Sequence, residues 1–464
     1  TGNSNVAIGG ETLYSNLVGS ENTAVGNLAG YSIIGNYTTA IGSQAARFAS
    51  GSYNTFVGQK AGYGGTTSAP FSSGQYNTAV GYNSLVAFTT GNTNIAMGDS
   101  TLAANTTGYG NTAIGFRVHQ AATTGYYNTA VGNQSMQAGT LTGHDNVAVG
   151  NSTLTNVSSG NYNVAMGYIS LGLLTTGNNN TALGTSALYR MTDGTDSTGV
   201  GIYAGYYSTG SYNTFIGSNA GKGGTTSAPY SSGQYNTAIG YNALLGFTTG
   251  NYNVVLGEGA GKLITTGGGN VLIGRHCGDE LVSGEDNTMM GYAAGHRTTG
   301  NRNVLIGYLA GDNLTTGANN TGIGANVAFD IDADNQTAIG NGATTDSAND
   351  IAIGNTSVDE VKGQVDFTVF SDRRIKRDIE DNDLGLDFIN DLRPRKFKKV
   401  NPAKYPDSIR KQNDGRDSEG NEYEWTDAQA NKVWDGLIAQ EVKEAVDKAG
   451  TSYSGWNIEK NSKE

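Results

Sequence analysis

The chain has 464 residues, of which 70 are glycine and one is cysteine, and its formal net charge is −12. The lone Cys277 excludes an internal disulfide framework, and the acidic balance argues against nucleic acid as a partner. No segment approaches the roughly eighteen consecutive apolar residues of a transmembrane helix, so we expect no membrane insertion.

Charge is distributed unevenly along the chain. Residues 1–370 carry 10 Lys or Arg and 20 Asp or Glu, whereas the much shorter segment 371–464 carries 18 and 20. The first segment is also rich in Gly, Asn and Thr. A shift of this kind predicts a domain boundary near Ser371.

From the amino terminus, the phrase Asn-Thr-Ala-Ile/Val-Gly returns about every 17 residues, as at 22–26, 77–81 and 236–240. A fixed period is typical of stacked repeats, in which each unit buries its apolar residues against its neighbours. The sequence therefore predicts an all-β repeat body, a parallel β-roll or β-solenoid of 17-residue units, over residues 1–340.

The repeat unit is interpreted as a turn, a short strand and a second turn, and residues 250–257 are an example. Gly250 and Asn251 are expected to supply the positive φ of the turn. The recurring Asn is expected to bond backbone groups and to form ladders between stacked units.

Alternation along the strand places Val254 and Leu256 on one face and Val255 on the other. Ala stands at the equivalent of Val255 in many other units, which indicates a close contact at that point. A second apolar patch in the unit, as at 84–86, predicts a second short strand in each coil.

Two units, 54–76 and 213–235, are longer than the rest. Each contains Gly-Gly-Thr-Thr-Ser-Ala-Pro followed by an aromatic residue. Loops on a rigid scaffold often carry recognition, so these are the candidate receptor-binding loops. Their predicted anchors are Pro70, Phe71, Pro229 and Tyr230.

Many of the 26 tyrosines occupy the same Gly-x-Tyr-Asn slot of the unit. They form either an aromatic ladder that stabilises the stack, which is the favoured interpretation, or exposed stripes that stack on sugar rings. The tyrosines in this slot include Tyr53, Tyr76, Tyr127, Tyr162, Tyr212, Tyr235 and Tyr252.

Metal ligands are not indicated. The four histidines are scattered, and the run at Asp330, Asp332 and Asp334 lacks the Gly and the distant Glu of a calcium loop. We expect no metal site and no cofactor.

The carboxy-terminal part is predicted to comprise a β-rich neck at 341–370 and a small α+β domain at 371–464. The elements predicted in this domain are a short helix at 386–392 halted by Pro394, a strand at 395–400, and an amphipathic helix that opens at Gly436 and continues through Val446.

The repeat phrases at 5–9 and 146–150 resemble the head repeats of trimeric autotransporter adhesins and are similar to repeats in phage tail fibres. In the adhesin head, three chains form a parallel β-roll around one axis. The resemblance covers about residues 1–355 and implies a trimeric β-roll. A single-chain β-helix is the structural alternative.

Three motifs follow one another in the carboxy-terminal domain. They are Ser-Asp-x-x-x-Lys-x-x-Ile from Ser371, Gly-Leu-x-Phe-Ile-x-x-Leu-Arg-Pro from Gly385, and Gly-Leu-Ile-Ala-Gln-Glu-Val from Gly436. In this order they resemble the peptidase S74 family, the intramolecular chaperone domain of phage endosialidases, tail spikes and tail fibres. The domain of that family trimerises, brings three fibre chains into register, and then cuts itself off.

The resemblance implies that Ser371 is the nucleophile, that Lys376 is its base, and that the cleaved bond joins Phe370 to Ser371. A Ser hydroxyl needs a base to take its proton, and a Lys serves as that base when burial or neighbouring positive charge lowers its pKa. Arg374 and Arg377 are close enough in sequence to supply such charge. The structural alternative is that Ser371 caps a helix and Lys376 lies on a solvated face.

The leading functional prediction is a homotrimeric tail fibre that attaches to a host surface and cleaves only itself, with no external substrate. Its predicted partners are further copies of the chain, a host cell-surface glycan or receptor, and other tail or baseplate proteins. Its predicted location is the virion tail fibre, outside the cell. A bacterial surface adhesin or appendage that uses the same chaperone is the alternative. A glycan-degrading tail spike would need paired carboxylates in a cleft, and acidic residues are sparse in the array.

Overall fold

The structure is a computed structural model that describes residues 2–65, 71–137, 140–224, 229–359, 361, 388, 391–398, 433–437 and 439–449. The chain divides into two compact units, Thr1–Asn355 and Thr356–Glu464. Residues 360 and 362–370 of the predicted neck lie outside the described residues. No helix in the described ranges is long and apolar enough to cross a membrane.

The first unit is a parallel β-solenoid, which confirms the predicted all-β repeat body with its spacing of about 17 residues. Each coil contributes one three-residue strand, and each strand pairs in parallel with the strand of the next coil, as Val164–Met166 pairs with Thr181–Leu183. The strands are β1 Val6–Ile8, β2 Thr23–Val25, β3 Thr39–Ile41, β4 Thr55–Val57, β5 Thr78–Val80, β6 Ile95–Met97, β7 Thr112–Ile114, β8 Thr129–Val131, β9 Val147–Val149, β10 Val164–Met166, β11 Thr181–Leu183, β12 Thr198–Val200, β13 Thr214–Ile216, β14 Thr237–Ile239, β15 Val254–Leu256, β16 Val271–Ile273, β17 Thr288–Met290, β18 Val304–Ile306, β19 Thr321–Ile323, β20 Thr337–Ile339 and β21 Ile351–Ile353.

The core of the solenoid is a column of buried side chains from the strand centres, most of which are Ala. Val255 is buried at the centre of β15, while Val254 is exposed and Leu256 is partly exposed. This arrangement confirms the predicted alternation, and the fully buried Ala at the same place in most coils confirms the close contact. Larger side chains of the second apolar patch, such as Leu85 and Leu102, fill the rest of the core.

The predicted second strand is wrong. Residues 82–87 form successive turns, in which Asn83 and Leu85 have φ of 50° and 48°. Their N–H groups point in opposite directions along the stack, because Asn83 donates to Gln59 O in the preceding coil at 3.1 Å and Leu85 donates to Thr101 O in the following coil at 2.9 Å. The alternation of positive and negative φ therefore gives these backbone N–H groups hydrogen-bond partners in both adjacent coils without a second strand.

A ladder of asparagine side chains joins the coils, as predicted. In a representative coil, the N–H and Nδ2 of Asn163 both donate to Oδ1 of Asn146 at 3.0 Å, and Nδ2 also donates to Gly177 O at 2.9 Å. The ladder continues where Asn is replaced, since Asn213 N–H donates to Ser197 Oγ at 3.2 Å. In the adjoining turn the residue just before the ladder Asn has the positive φ, as Tyr252 does with φ of 59°. The prediction that Gly250 and Asn251 supply the positive φ is therefore wrong.

A column of glycines follows the strands, and successive coils approach closely there. Gly115 has φ of +134°, and a Cβ built on it would lie 1.8 Å from Gly132 O of the next coil. A side chain at this place would therefore push two coils apart.

The described part of the second unit contains β22 (Pro394–Lys398), its antiparallel partner β23 (Val433–Leu437), and helix α1 (Ala439–Ala449). The predicted strand at 395–400 corresponds to β22, and Phe388 is helical within the predicted helix at 386–392. The predicted helix start at Gly436 is wrong, because Gly436 pairs with Arg395 in the two-stranded sheet.

Candidate functional sites

The predicted site residues divide between described and undescribed parts of the chain. The catalytic pair and the cleavage junction, Phe370, Ser371 and Lys376, lie outside the described residues, as does the loop anchor Pro70. The remaining loop anchors are described, and they are Phe71, Pro229 and Tyr230.

The first long coil is held to both of its neighbours. Gly65 N–H donates to Phe88 O of the following coil at 2.7 Å, where the loop begins. Where the loop ends, Ser72 N–H donates to Phe48 O of the preceding coil at 3.0 Å, and Ser72 O accepts from Ser50 N–H at 2.7 Å. The insertion is therefore fixed at both ends.

The second long coil repeats this pattern. Gly224 N–H donates to Phe247 O at 2.7 Å, and Ser231 N–H donates to Tyr207 O at 3.1 Å. Ser231 also forms an isolated parallel bridge with Ser208 of the preceding coil. The described ends of the two insertions are thus held in the same way at two places on one scaffold.

The predicted aromatic anchors stack on rings of the preceding coil. The Phe71 and Phe48 rings lie 5.9 Å apart at an interplanar angle of 20°, and the Tyr230 and Tyr207 rings lie 6.1 Å apart at 21°. Phe71 and Tyr230 are partly buried, whereas Pro229 is exposed. The Phe71 and Tyr230 rings are therefore held by the scaffold and still present part of their surface to solvent.

One arginine contacts the aromatic cluster of each long coil. Neither arginine was predicted from the sequence as a site residue. The Arg47 guanidinium lies 5.0 Å from the Phe48 ring centroid, and the Arg190 guanidinium lies 5.1 Å from that of Tyr230. Within the described part of the chain, the buried Nε of each has no hydrogen-bond partner. The scarcity of Arg and Lys in residues 1–370, with 10 in all, is the sequence signal that points to them.

Stacked tyrosines run along the outside of the solenoid in two runs, which confirms the aromatic ladder there, whereas Tyr127 and Tyr162 make edge-on ring contacts instead. The ring pairs Tyr37–Tyr53 and Tyr53–Tyr76 are stacked at 5.0 and 4.9 Å with interplanar angles of 9° and 3°. A second run joins Tyr212, Tyr235 and Tyr252 at 4.8 and 5.1 Å. The rings are about half exposed, so the ladder also forms a flat aromatic surface.

A surface hollow on coils β16–β18 contains alternating imidazole and carboxylate groups. His276 Nδ1 lies 3.3 Å from Asp279 Oδ2, and His296 lies 3.9 Å from Asp279 and 3.8 Å from Asp312. Among the residues that the structure describes, no group of three or more His, Cys, Asp or Glu is arranged to hold a metal ion.

Two buried titratable residues belong to the core. Burial raises the pKa of the Cys277 thiol to about 12 and lowers the pKa of His119 to about 3. Cys277 is therefore a neutral thiol at ordinary pH and a poor nucleophile. Both side chains fill space inside the solenoid.

Ion pairs connect the described elements of the second unit. Arg395 on β22 donates from Nε and Nη2 to the two carboxylate oxygens of Glu441 on α1 at 3.0 and 2.7 Å. These hydrogen bonds lower the pKa of Glu441 and raise that of Arg395. Lys448 near the end of α1 donates to Asp391 at 2.6 Å. Both pairs are solvent-exposed, so they mainly orient the helix.

Comparison with known families gives one match. Residues 371–451 match the sequence model of the Peptidase S74 family, described as the chaperone of endosialidase. The match includes β22, β23 and α1 together with Ser371 and Lys376. No curated protein and no solved structure matches the chain. The chain therefore combines a parallel β-solenoid of about twenty coils with a carboxy-terminal segment similar to the endosialidase chaperone.

Proposed function

We propose that the chain is the subunit of a homotrimeric tail fibre that attaches to a host surface, and that its carboxy-terminal segment directs trimer folding and then removes itself. One observation carries the proposal: a stack of near-identical coils and a match to an intramolecular-chaperone family occur in the same chain. The fibre's partners are two further copies, a host glycan or receptor, and other tail or baseplate proteins.

The repetition of the solenoid explains why such a fibre needs a chaperone. Every strand of the array has three residues, so three chains that align side by side retain similar contacts after a slip of one whole coil. Register is weakly specified under these conditions, and association that depends on distant pairings is slow. A trimerising segment at one end of the array fixes the register first.

The outer face of the sheet supports self-association. In many coils the third strand residue is a large apolar side chain that is 37–44% exposed in the single chain. Contiguous exposed apolar surface marks interaction sites, and this stripe follows the strands over about 100 Å at ~4.8 Å per coil. Its members include Ile41, Met97, Ile114, Met166, Ile216, Ile239, Met290, Ile323 and Ile339.

Self-removal requires two acyl transfers at the junction, the first to the Ser371 hydroxyl and the second to water. Lys376 takes the proton of the Ser371 hydroxyl, and Oγ attacks the carbonyl carbon of Phe370. The Ser371 amide nitrogen leaves with a proton, so the peptide bond becomes an ester, and water then hydrolyses the ester. The products are a body that ends in the Phe370 carboxylate and a released segment that begins at Ser371.

The proposal is tested by intact-mass measurement of the denatured full chain, with light scattering of the native protein. We expect the wild type to split between Phe370 and Ser371 and the body to have the mass of a trimer. Ser371→Ala and Lys376→Ala should remain uncut, whereas the control Ser408→Ala in the same segment should be cut. An uncut wild-type trimer would contradict self-removal, and a monomeric body would contradict the trimeric fibre.

A further inference from the structure

Arg47 and Arg190 differ from an ordinary surface arginine in their partners. Arg275 on the same solenoid forms an ion pair with Glu258 at 3.1 Å. The guanidinium groups of Arg47 and Arg190 contact ring faces instead, and within the described ranges neither one pairs with a carboxylate. An arginine fork matches a carboxylate in two parallel hydrogen bonds, so each of these groups retains its capacity for an anionic ligand.

The charge around the long coils favours an anion. No Asp or Glu occurs between Glu21 and Asp99, although the chain has 40 acidic residues, and that window contains Arg47 and Lys60. The window between Asp196 and Glu258 is also free of acidic residues. Each window includes one long coil, so the long coils avoid the negative charge of the rest of the chain.

Acidic residues close to Arg190 in sequence have other partners. Asp193 accepts a hydrogen bond from Thr192 at 3.1 Å, and Asp196 accepts one from Asn179 at 3.0 Å. Arg190 therefore lies beside the second loop without a neutralising carboxylate.

Each arginine contacts an aromatic cluster, although the two arginines occupy different coils relative to their long coil. The Arg47 guanidinium lies over Tyr31 and Phe48, and the Phe48 ring contacts Tyr63 and Phe71. The Arg190 guanidinium lies over Tyr189 and Tyr230, and the cluster continues from Tyr189 to Tyr206 and Tyr207. All of these side chains are partly buried, so one part of each ring is held by the scaffold. Rigid rings with a few polar groups are typical of sites that bind a flat ligand face.

We propose that each long coil carries a binding site for an acidic saccharide. The apolar face of a sugar ring packs on the aromatic cluster at Phe71 or Tyr230, and the sugar carboxylate accepts hydrogen bonds from Arg47 or Arg190. This inference rests on the proposed attachment function and specifies its ligand class. Two such sites on one chain, multiplied by further copies, would bind a repetitive polysaccharide with avidity.

The test is titration calorimetry of the full chain with a galacturonic acid hexasaccharide and a hyaluronan hexasaccharide, each compared with its methyl ester. We expect an acidic form to bind at two sites per chain and its uncharged ester to bind at least tenfold more weakly. Arg47→Gln should remove one of the two sites, and the double variant with Arg190→Gln should remove both. Phe71→Ala should weaken the first site without a change of charge.

Arg117 provides the matched control, because its guanidinium also lies 5.0 Å from a ring centroid, that of Phe116, but far from either long coil in sequence. Arg117→Gln should bind like the wild type. Circular dichroism of every variant checks the fold, so that a lost site is separated from unfolding. Absence of binding to both acidic hexasaccharides, equal binding of acid and ester, or an equal loss in Arg117→Gln would overturn the proposal.

Attachment of labelled protein to a panel of bacterial strains separates this inference from the proposed function. Attachment that persists in the double arginine variant would support the attachment function and contradict the proposed saccharide sites. Hexasaccharide binding without attachment to any strain would support the saccharide sites and contradict the attachment function.

Discussion

The asparagine ladder makes a quantitative prediction at Asn163, which is fully buried. Asn163→Ala removes two hydrogen bonds that its Nδ2 donates, to Asn146 Oδ1 at 3.0 Å and to Gly177 O at 2.9 Å. It also removes two that its Oδ1 accepts at 3.0 Å, from the N–H and the Nδ2 of Asn180. The cavity is small, so the effect arises from the polar groups that lose their partners.

Two of these groups, Gly177 O and Asn180 N–H, belong to buried backbone. A buried polar group without a partner costs about 1–3 kcal/mol, so the local free energy of opening should fall by roughly 2–6 kcal/mol. Since each 1.4 kcal/mol is about tenfold, amide exchange in the adjoining coils should accelerate by about 30-fold or more.

Hydrogen–deuterium exchange of the full chain, read by mass spectrometry over residues 146–196, measures this local opening. Global unfolding is less suitable, because a stack of coils opens locally. The matched control is Asn151→Ala in the preceding coil. Among the described residues, its exposed side chain accepts a single hydrogen bond, from Ser152 Oγ at 2.7 Å. Exchange in Asn163→Ala that stays close to that of Asn151→Ala would refute the argument.

Three further predictions concern single columns of the stack. Ser197→Asn restores the ladder residue and should raise the free energy of opening of its coil by about 1 kcal/mol. Amide exchange in that coil should therefore slow, and faster exchange would contradict the prediction. Burial holds the pKa of His119 at about 3, so its unfolded form takes up a proton as pH falls below about 6.5 and stability decreases. The loss of stability is about 2 kcal/mol at pH 5. His119→Leu, which introduces the residue found at the equivalent Leu102, should remove this loss and give a smaller drop in Tm between pH 7 and pH 5. An unchanged drop in Tm would contradict the prediction. Cys277, with its pKa raised to about 12, should react with iodoacetamide at pH 8 only after unfolding, and labelling of the native chain would contradict it.

The repeat allowed the solenoid to be predicted because its energetics are local and periodic. An Asn that returns at a fixed place has few roles other than a ladder, and a single Ala between β-branched residues leaves room only for a closely packed neighbour. Both inferences follow from side-chain size and hydrogen-bonding capacity alone. The structure confirms the ladder, as between Asn146, Asn163 and Asn180, and from β2 to β20 it buries the central Ala fully wherever one occurs.

The turns could not be predicted by the same means. A positive φ at Leu85 or Tyr252 is unfavourable for an isolated residue, so propensity predicts a strand or assigns the turn to Gly. Stacking reverses this preference, because an N–H directed along the axis binds a carbonyl of the adjacent coil. Tertiary contacts decide the local conformation here.

The candidate site was only half accessible from sequence. The loop anchors Phe71 and Tyr230 were predicted because the two long units interrupt the period. Arg47 and Arg190 were missed because they belong to coils before the loops. Only the stacking of coils places Arg190 over the Tyr230 ring and joins Arg47, through Phe48, to the Phe71 ring. The helix start at Gly436 was misplaced for a similar reason, since its strand partner lies about 40 residues earlier.

The uniform interface between coils has a genetic consequence. The two long coils lie nine coils apart, from β4 to β13, and their surroundings in the sequence are nearly identical. Recombination between the two copies would delete or duplicate nine coils, a change of roughly 43 Å at ~4.8 Å per coil. The new junction would still join one ordinary coil face to another, so the reach of the rod and the number of its loops can evolve together in whole steps while every packing contact is preserved.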